Sequence, residues 1–185
     1  FSYEQSSKNV IENISFSIDR GKSLAIIGRS GAGKTTMIDL LLGLIKPNSG
    51  KILLNKNVDI HSNLYDWQNK IYYLPQDKFL FNDTILQNII LDREIDPELR
   101  EEKEKSQKLE NAIKQSRMDE YVHKLPNGLD TVIGERGMKL SGGQRQRLVL
   151  ARALFHDREI LVFDEITSSL DVSMENEINQ LINNL

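Results

Sequence analysis

An α/β fold built on a parallel sheet is what this sequence predicts, and three observations carry that reading. Short apolar runs alternate with segments of helical spacing. Two of the runs, Leu24-Ala25-Ile26-Ile27 and Ile160 to Phe163, are apolar at every position, as in strands buried on both faces. A glycine-rich turn, Gly28 to Gly33, leads from the first run straight into a helical segment. A length of 185 residues suits one core with a modest insertion.

The elements follow in order. Phe1 to Tyr3 is extended and aromatic. Ile14, Phe16 and Ile18 alternate with serines, the period of a half-buried strand. Gly21 ends it, and Leu24 to Ile27 is the first buried strand. Thr35 to Leu44 reads as a helix through Ile38, Leu41, Leu42 and Ile45. Pro47-Asn48-Ser49-Gly50 turns the chain. Lys51 to Asn55 and Ile71 to Leu74 are further short strands. Asp92 to Met118 is densely charged with mixed signs, the pattern of a solvated helical face. Ser141 caps a helix to about Phe155, with Leu148, Ala151 and Leu154 on one face. Ile160 to Phe163 is the second buried strand, and a last helix starts near Val172.

Composition narrows the function. The net charge of −3 disfavours nucleic acid as main ligand. The absence of cysteine removes disulfides, thiolate catalysis and Cys-ligated zinc, and suits a reducing compartment. His61, His123 and His156 are too scattered for a metal set. No run of 18 apolar residues is present. Both ends interrupt predicted elements, so the chain is expected to be a piece of a longer protein.

Gly28-Arg29-Ser30-Gly31-Ala32-Gly33-Lys34-Thr35 fits G-x-x-x-x-G-K-[ST] between a strand and a helix. Glycines let successive amides converge on an anion, and the helix N-terminus adds its positive end. Lys34 reaches the β- and γ-phosphates as a point charge, and Thr35 offers a hydroxyl to Mg²⁺. A second acid is needed for the metal. Asp164 stands at the carboxyl end of an apolar strand, where α/β sheets present ligand groups, and Glu165 follows it, placed to polarise water. Two acids after a strand also cap helices; beside a phosphate loop the functional reading prevails.

Leu140-Ser141-Gly142-Gly143-Gln144 is the third element. With the other two it resembles the signature of the ATP-binding-cassette (ABC) family of ATPases. An ordinary serine cap explains Ser141 but not the two glycines, which let amides approach a phosphate. The resemblance covers nearly the whole chain. It implies a P-loop NTPase, RecA-like core with an N-terminal antiparallel β subdomain and an inserted helical subdomain. Residues 1–82 and 156–185 would form the core and β subdomain, and residues 83–155 the helical subdomain.

The resemblance also implies roles. Tyr3 stacks on adenine. Gly28, Ser30, Gly31, Ala32, Gly33, Lys34, Thr35 and Thr36 hold the nucleotide, joined by Ser141, Gly142, Gly143 and Gln144. Gln76 senses Mg²⁺, which Thr35, Gln76 and Asp164 bind, and faces a membrane partner. Glu165 is the base. Ser169-Leu170-Asp171 matches the D-loop. Phe79-Leu80-Phe81, Thr84 to Ile89 and Gly134-Glu135-Arg136-Gly137 resemble exporters. Thr35-Thr36 stands where many exporters have Ser-Thr, and Ile166 and Ser169 where alanine is commoner. None of the three histidines occupies the family's switch position.

The implied protein is an exporter ATPase at the cytoplasmic face of the inner membrane. It would hydrolyse MgATP in a head-to-tail dimer, homo- or heteromeric, fused to a preceding membrane domain and without nucleic acid. A soluble cassette acting on DNA or the ribosome is the alternative; a degenerate regulatory cassette is a third reading. Intact Lys34, Asp164 and Glu165 oppose the last. Trp67-Gln68 and the Ile38 to Leu44 helix resemble cassettes that flip lipid-linked saccharides, although cargo itself is not written in this chain.

Overall fold

The computed structural model describes residues 1–4, 8–91, 103–164, 176 and 180. Glu165, Ser169 to Asp171 and most of the helix expected from Val172 lie outside them. The chain forms two compact units, Phe1–Ile71 and Tyr72–Leu185.

In the first unit, α1 (Lys34–Leu41) begins after Gly33, whose φ of 90° only glycine adopts readily. Its Ile38 and Leu40 are buried. The helix stops short of the expected Leu44 because Gly43 turns left-handed at φ 71°. The amide of Leu44 then returns to Asp39 O (2.9 Å) and that of Gly43 to Leu40 O (3.1 Å), a Schellman ending. Two strands follow, β1 (Leu53–Leu54) and β2 (Val58–Asp59). They pair antiparallel, Leu53 opposite Asp59 and Leu54 opposite Val58. Asn55 and Lys56 turn the chain between them, both at positive φ. A short helix absent from the sequence reading, α2 (Leu64–Asn69), has Asn63 as its cap. Its Trp67 Nε1 donates to Leu41 O (2.8 Å) and Gln68 Nε2 to Leu42 O (3.3 Å), so both side chains close the carbonyl end of α1.

Two expected strands of this unit are not formed. Ile14 to Ile18 and Leu24 to Ile27 carry no ladder among the described residues, whose sheets are two-stranded. Leu24 to Ile27 is not buried either, with Ile27 92% exposed. Apolar alternation makes a segment fit for a sheet; only a hydrogen-bonded neighbour makes it a strand. The expected strand Lys51 to Asn55 shrinks to β1 for the same reason.

The second unit holds the parallel element. β3 (Ile71–Leu74) pairs with β4 (Ile160–Phe163). The amide of Asp164, just past β4, donates to the carbonyl of Leu74 at the end of β3 (2.9 Å). The two carboxyl ends therefore share one edge, as parallel strands require. Around this pair lie α3 (Ile85–Ile90), α4 (Lys103–Gln115), α5 (Asp119–Val122) and α6 (Gly142–His156). Thr84 caps α3 through the amide of Gln87 (3.1 Å). Helix α6 packs on α3 and α4, over a core that includes Leu80, Ile85, Ile89, Met118 and Leu148. Its bounds meet the expectation from Ser141 to Phe155. No helix among the described residues is long and apolar enough to cross a membrane.

Candidate functional site

The glycine-rich loop lies at the surface, with Gly28 to Ala32 exposed. It is held by few bonds. Ala32 N donates to Arg29 O (3.1 Å). Lys34 Nζ folds back over the loop and donates to Gly28 O (3.1 Å) and Arg29 O (3.2 Å). Gly33 is the N-cap and has no side chain, so it gives the first amides of α1 no side-chain cap. Amides without a side-chain cap from Gly33, the positive helix end and an ammonium on a flexible stem together suit a polyphosphate.

Gly33 is glycine for a second reason. A Cβ there would lie 3.1 Å from both Val10 Cγ1 and Ile11 Cδ1. The N-terminal segment thus packs against the loop. Phe1 is tied to it, its ammonium donating to Ile11 O (2.7 Å) and its carbonyl accepting from Val10 N (2.8 Å). Tyr3, half exposed, stands edge-on to Phe1, with ring centres 5.0 Å apart. Its hydroxyl is 3.1 Å from that of Thr36. Two residues singled out separately in the sequence, Tyr3 and Thr36, therefore meet. Thr36 is buried and its hydroxyl is engaged there, whereas Thr35 is exposed.

In the second unit, Asp164 and Gln76 come to the same sheet edge. Tyr73 Oη donates to Asp164 Oδ2 (3.3 Å). Gln76 is exposed, two residues past Leu74. Glu165, the expected base, lies outside the described residues.

Ser141 and Gln144 form a closed capping box. Ser141 Oγ accepts from Gln144 N (3.2 Å), and Gln144 Oε1 accepts from Ser141 N (2.8 Å). Gln144, expected to touch the nucleotide, is thus engaged inside its own motif. Ser141 and Gly142 are exposed, and Gly143 is buried. Arg147 is spent within the unit, donating to Arg117 O (3.2 Å) beside Glu120. Arg145 faces Lys78; burial, then this like charge, lowers the Lys78 pKa. Among the described residues no three His, Cys, Asp or Glu side chains cluster around a metal position.

Sequence reading passed over Asn88, and it left Arg152, with Arg145 and Arg147, open between the nucleotide, solvent and a partner within the same subunit. Arg152, on the buried face of α6, donates to Asn88 O (2.6 Å), Phe79 O (2.9 Å) and Asn88 Oδ1 (3.2 Å). Asn88 Nδ2 donates to Phe81 O (3.1 Å) and Thr84 O (2.9 Å), and its Oδ1 accepts from Phe81 N (2.9 Å). The signal was present: an asparagine among Ile85, Leu86 and Ile89, and an arginine between Ala151 and Ala153, both at core-facing positions. Tyr72 lies beside Arg152. Burial raises the Tyr72 pKa, opposed by the guanidinium.

The family model described as ABC transporter matches residues 11–168. The ATP-dependent lipid A-core flippase of Coxiella burnetii is 42% identical over 185 residues, all of this chain and 30% of the relative. The ABC transporter ATM1 of Toxoplasma gondii is 41% identical over 178 residues, 94% of this chain and 15% of the relative. The solved structure of a bacterial Atm1-family ABC exporter with ATP bound superposes with a TM-score of 0.81 at 35% identity, covering all of this chain and 31% of that one. The chain thus spans about 30% of the length of the flippases it matches.

Proposed function

Because the chain belongs to the ABC transporter family, as the ATP-hydrolysing nucleotide-binding domain of an exporter, we propose that it powers transport by binding and hydrolysing MgATP between two such domains. The observation that carries this reading is the cradle: uncapped amides at the start of α1 with Lys34 folded over the loop. In this reading residues Gly28 to Thr36 bind the triphosphate, and Lys34 leaves its two carbonyls for the β- and γ-phosphates. Tyr3 stacks on adenine. Ser141, Gly142, Gly143 and Gln144 serve the nucleotide held by a partner domain.

Mg²⁺ is the metal we assign. The donors available are the Thr35 hydroxyl, the Asp164 carboxylate and the Gln76 amide oxygen, hard oxygens of the kind Mg²⁺ takes when phosphate and water complete its shell. Held by these residues, Mg²⁺ would supply positive charge against the phosphates. Glu165 accepts the proton of the attacking water.

The domain organisation follows the same reading. Residues 1–82 and 156–185 form the nucleotide core and β subdomain, and residues 83–155 the helical subdomain. A membrane domain precedes the chain in the full protein, which sits at the cytoplasmic face of the inner membrane. The partner domain is a second copy or a close relative, and nucleic acid is not a ligand. Several relatives are named lipid A-core flippases, and Trp67-Gln68 belongs to the same reading, so a lipid-linked saccharide is the cargo class we favour.

Glu165→Gln in the full-length protein tests the chemistry. Nucleotide binding should persist while hydrolysis slows by roughly 10²–10⁴-fold. Hydrolysis at the wild-type rate would remove Glu165 as base.

A further inference from the structure

We propose that Arg152 and Asn88 are positioning residues for hydrolysis: they fix the signature helix to the segment that follows Gln76. The inference rests on the reading that both of those parts flank the nucleotide.

The geometry is specific. Asn88 is fully buried and Arg152 nearly so. Three guanidinium donations go to two main-chain carbonyls and one amide oxygen, all within residues 79–88. The Asn88 side chain in turn holds both polar groups of Phe81 and the carbonyl of Thr84. A buried cation is seldom retained for stability, since a well-packed apolar side chain does as well. What the fork provides here is a fixed distance between two backbones.

Near the other end of the helix, Gly137 lies between the same segment and Arg145. A Cβ at Gly137 would lie 2.7 Å from Leu80 Cδ1 and 3.5 Å from Arg145 Cδ, so Leu80 and Arg145 converge there. Arg152 sits eleven residues after Ser141, about 16 Å along the axis. Residues 79–88 therefore hold α6 at Arg152 and border, through Leu80, the Gly137 turn that also touches Arg145. The segment is also pinned from a third side: Ile133 N donates to Asp83 O (3.0 Å) and Ile85 N to Thr131 O (3.0 Å). The Arg152 and Asn88 side chains thus tie α6, which begins at Gly142, to residues 79–88, which follow Gln76 in the chain.

The test uses the full-length protein in membranes, with Arg152→Met, Arg152→Lys, Asn88→Ala and the double variant Arg152→Met plus Asn88→Ala. Sites are counted by titration with a fluorescent ATP analogue, so unfolded molecules drop out of the rate. The expected result is a fall in kcat per site of about tenfold or more in each variant, with nucleotide affinity kept. The double variant should fall no further than the weaker single one, because both act through one unit. Lysine keeps the charge and stem but cannot supply a planar fork, so Arg152→Lys should behave as Arg152→Met. Normal kcat per site in Arg152→Met or Asn88→Ala, lost affinity with kcat kept, or full turnover with lysine overturns the proposal. If Arg152→Met yields no binding-competent protein, Arg152→Lys and Asn88→Ala decide by the same criteria. Glu165→Gln is measured alongside. Normal turnover there sinks the hydrolysis reading itself. Slow turnover there, with normal turnover in the Arg152 variants, sinks this inference alone.

Discussion

The glycine-rich loop before α1 and the signature before α6 both place glycines at a helix N-terminus, yet they use their polar groups in opposite ways. Gly33 caps α1 with nothing, and Lys34 rests on carbonyls of its own loop. Ser141 and Gln144 close a box on each other, and Arg152 and Asn88 lock the far end of α6. The first helix start is incomplete without an anion. The second is complete by itself. A group that must bind keeps donors in reserve, and a group that must be presented to a partner is held rigid in advance.

Lys34→Ala is the strongest way to break this contrast. Removing the Lys34 ammonium from the cradle should lower MgATP affinity by about 10²-fold. Ser141→Ala should leave affinity unchanged for a single domain if, as proposed, its ligand is the nucleotide of a partner domain. Titration with a fluorescent nucleotide measures both. Equal losses from the two variants would mean that both motifs serve one nucleotide on one chain.

Glycine replacement sharpens the contrast from the side of stability. Gly31 has φ 78° and open space around a Cβ, whereas Gly137 has φ 68° and Leu80 in the way. Gly31→Ala should therefore cost only left-handed strain, about 1 kcal/mol. Gly137→Ala should cost about 2 kcal/mol, because the core must also move. Urea midpoints at constant m check the order. A larger loss at Gly31 would show that the loop is packed more tightly than its exposure implies.

Local chemistry was more legible in the sequence than pairing. The start of α1, the Ser141 cap and strand β4 could all be read, because each depends on residues a few positions apart. Ile14 to Ile18 and Leu24 to Ile27 could not be settled that way. Their alternation and apolarity describe a surface suited to a sheet, and the ladder needs a neighbour that spacing does not name. Of the site, the residue types were legible and the engagements were not. Nothing in the spacing says that Thr36 meets Tyr3, 33 positions away, or that Gln144 turns back to Ser141. Arg152 was legible only as an arginine that faces the nucleotide, solvent or its own subunit, and which of these holds depends on Asn88, 64 positions away.

The capping box gives a smaller, cleaner test. Ser141→Ala removes the acceptor for the Gln144 amide and should cost about 1 kcal/mol of stability. Asparagine or aspartate at the same position should restore most of it, since both accept from the same amide. Thermal midpoints of the three variants measure this. If aspartate restores stability while hydrolysis in the full-length protein stays low, the hydroxyl serves the nucleotide as well as the helix.

The smallest expected effect is a pH slope at the end of α6. His156 packs face to face with Tyr72, ring centres 5.7 Å apart, and edge-on to Phe155. Burial lowers its pKa, and the charges of Arg158, Arg152 and Lys108 add to the shift; the carbonyl of Ile89 opposes it. The fold thus favours neutral imidazole. Above the unfolded value, about 6.5, neither state is protonated and the histidine carries no penalty. As pH falls below that value, the unfolded chain takes up the proton first, so stability declines until the folded value is passed. The thermal midpoint should drop between about pH 7 and pH 5.5, and drop less in His156→Phe, which keeps a ring against Tyr72 but cannot titrate. The comparison is of slopes, so a constant offset from the lost bond to Ile89 does not affect it. A wild-type midpoint that rises on acidification, or identical slopes in the two proteins, would show that the proton is accommodated and that the cationic neighbours do not act on this ring.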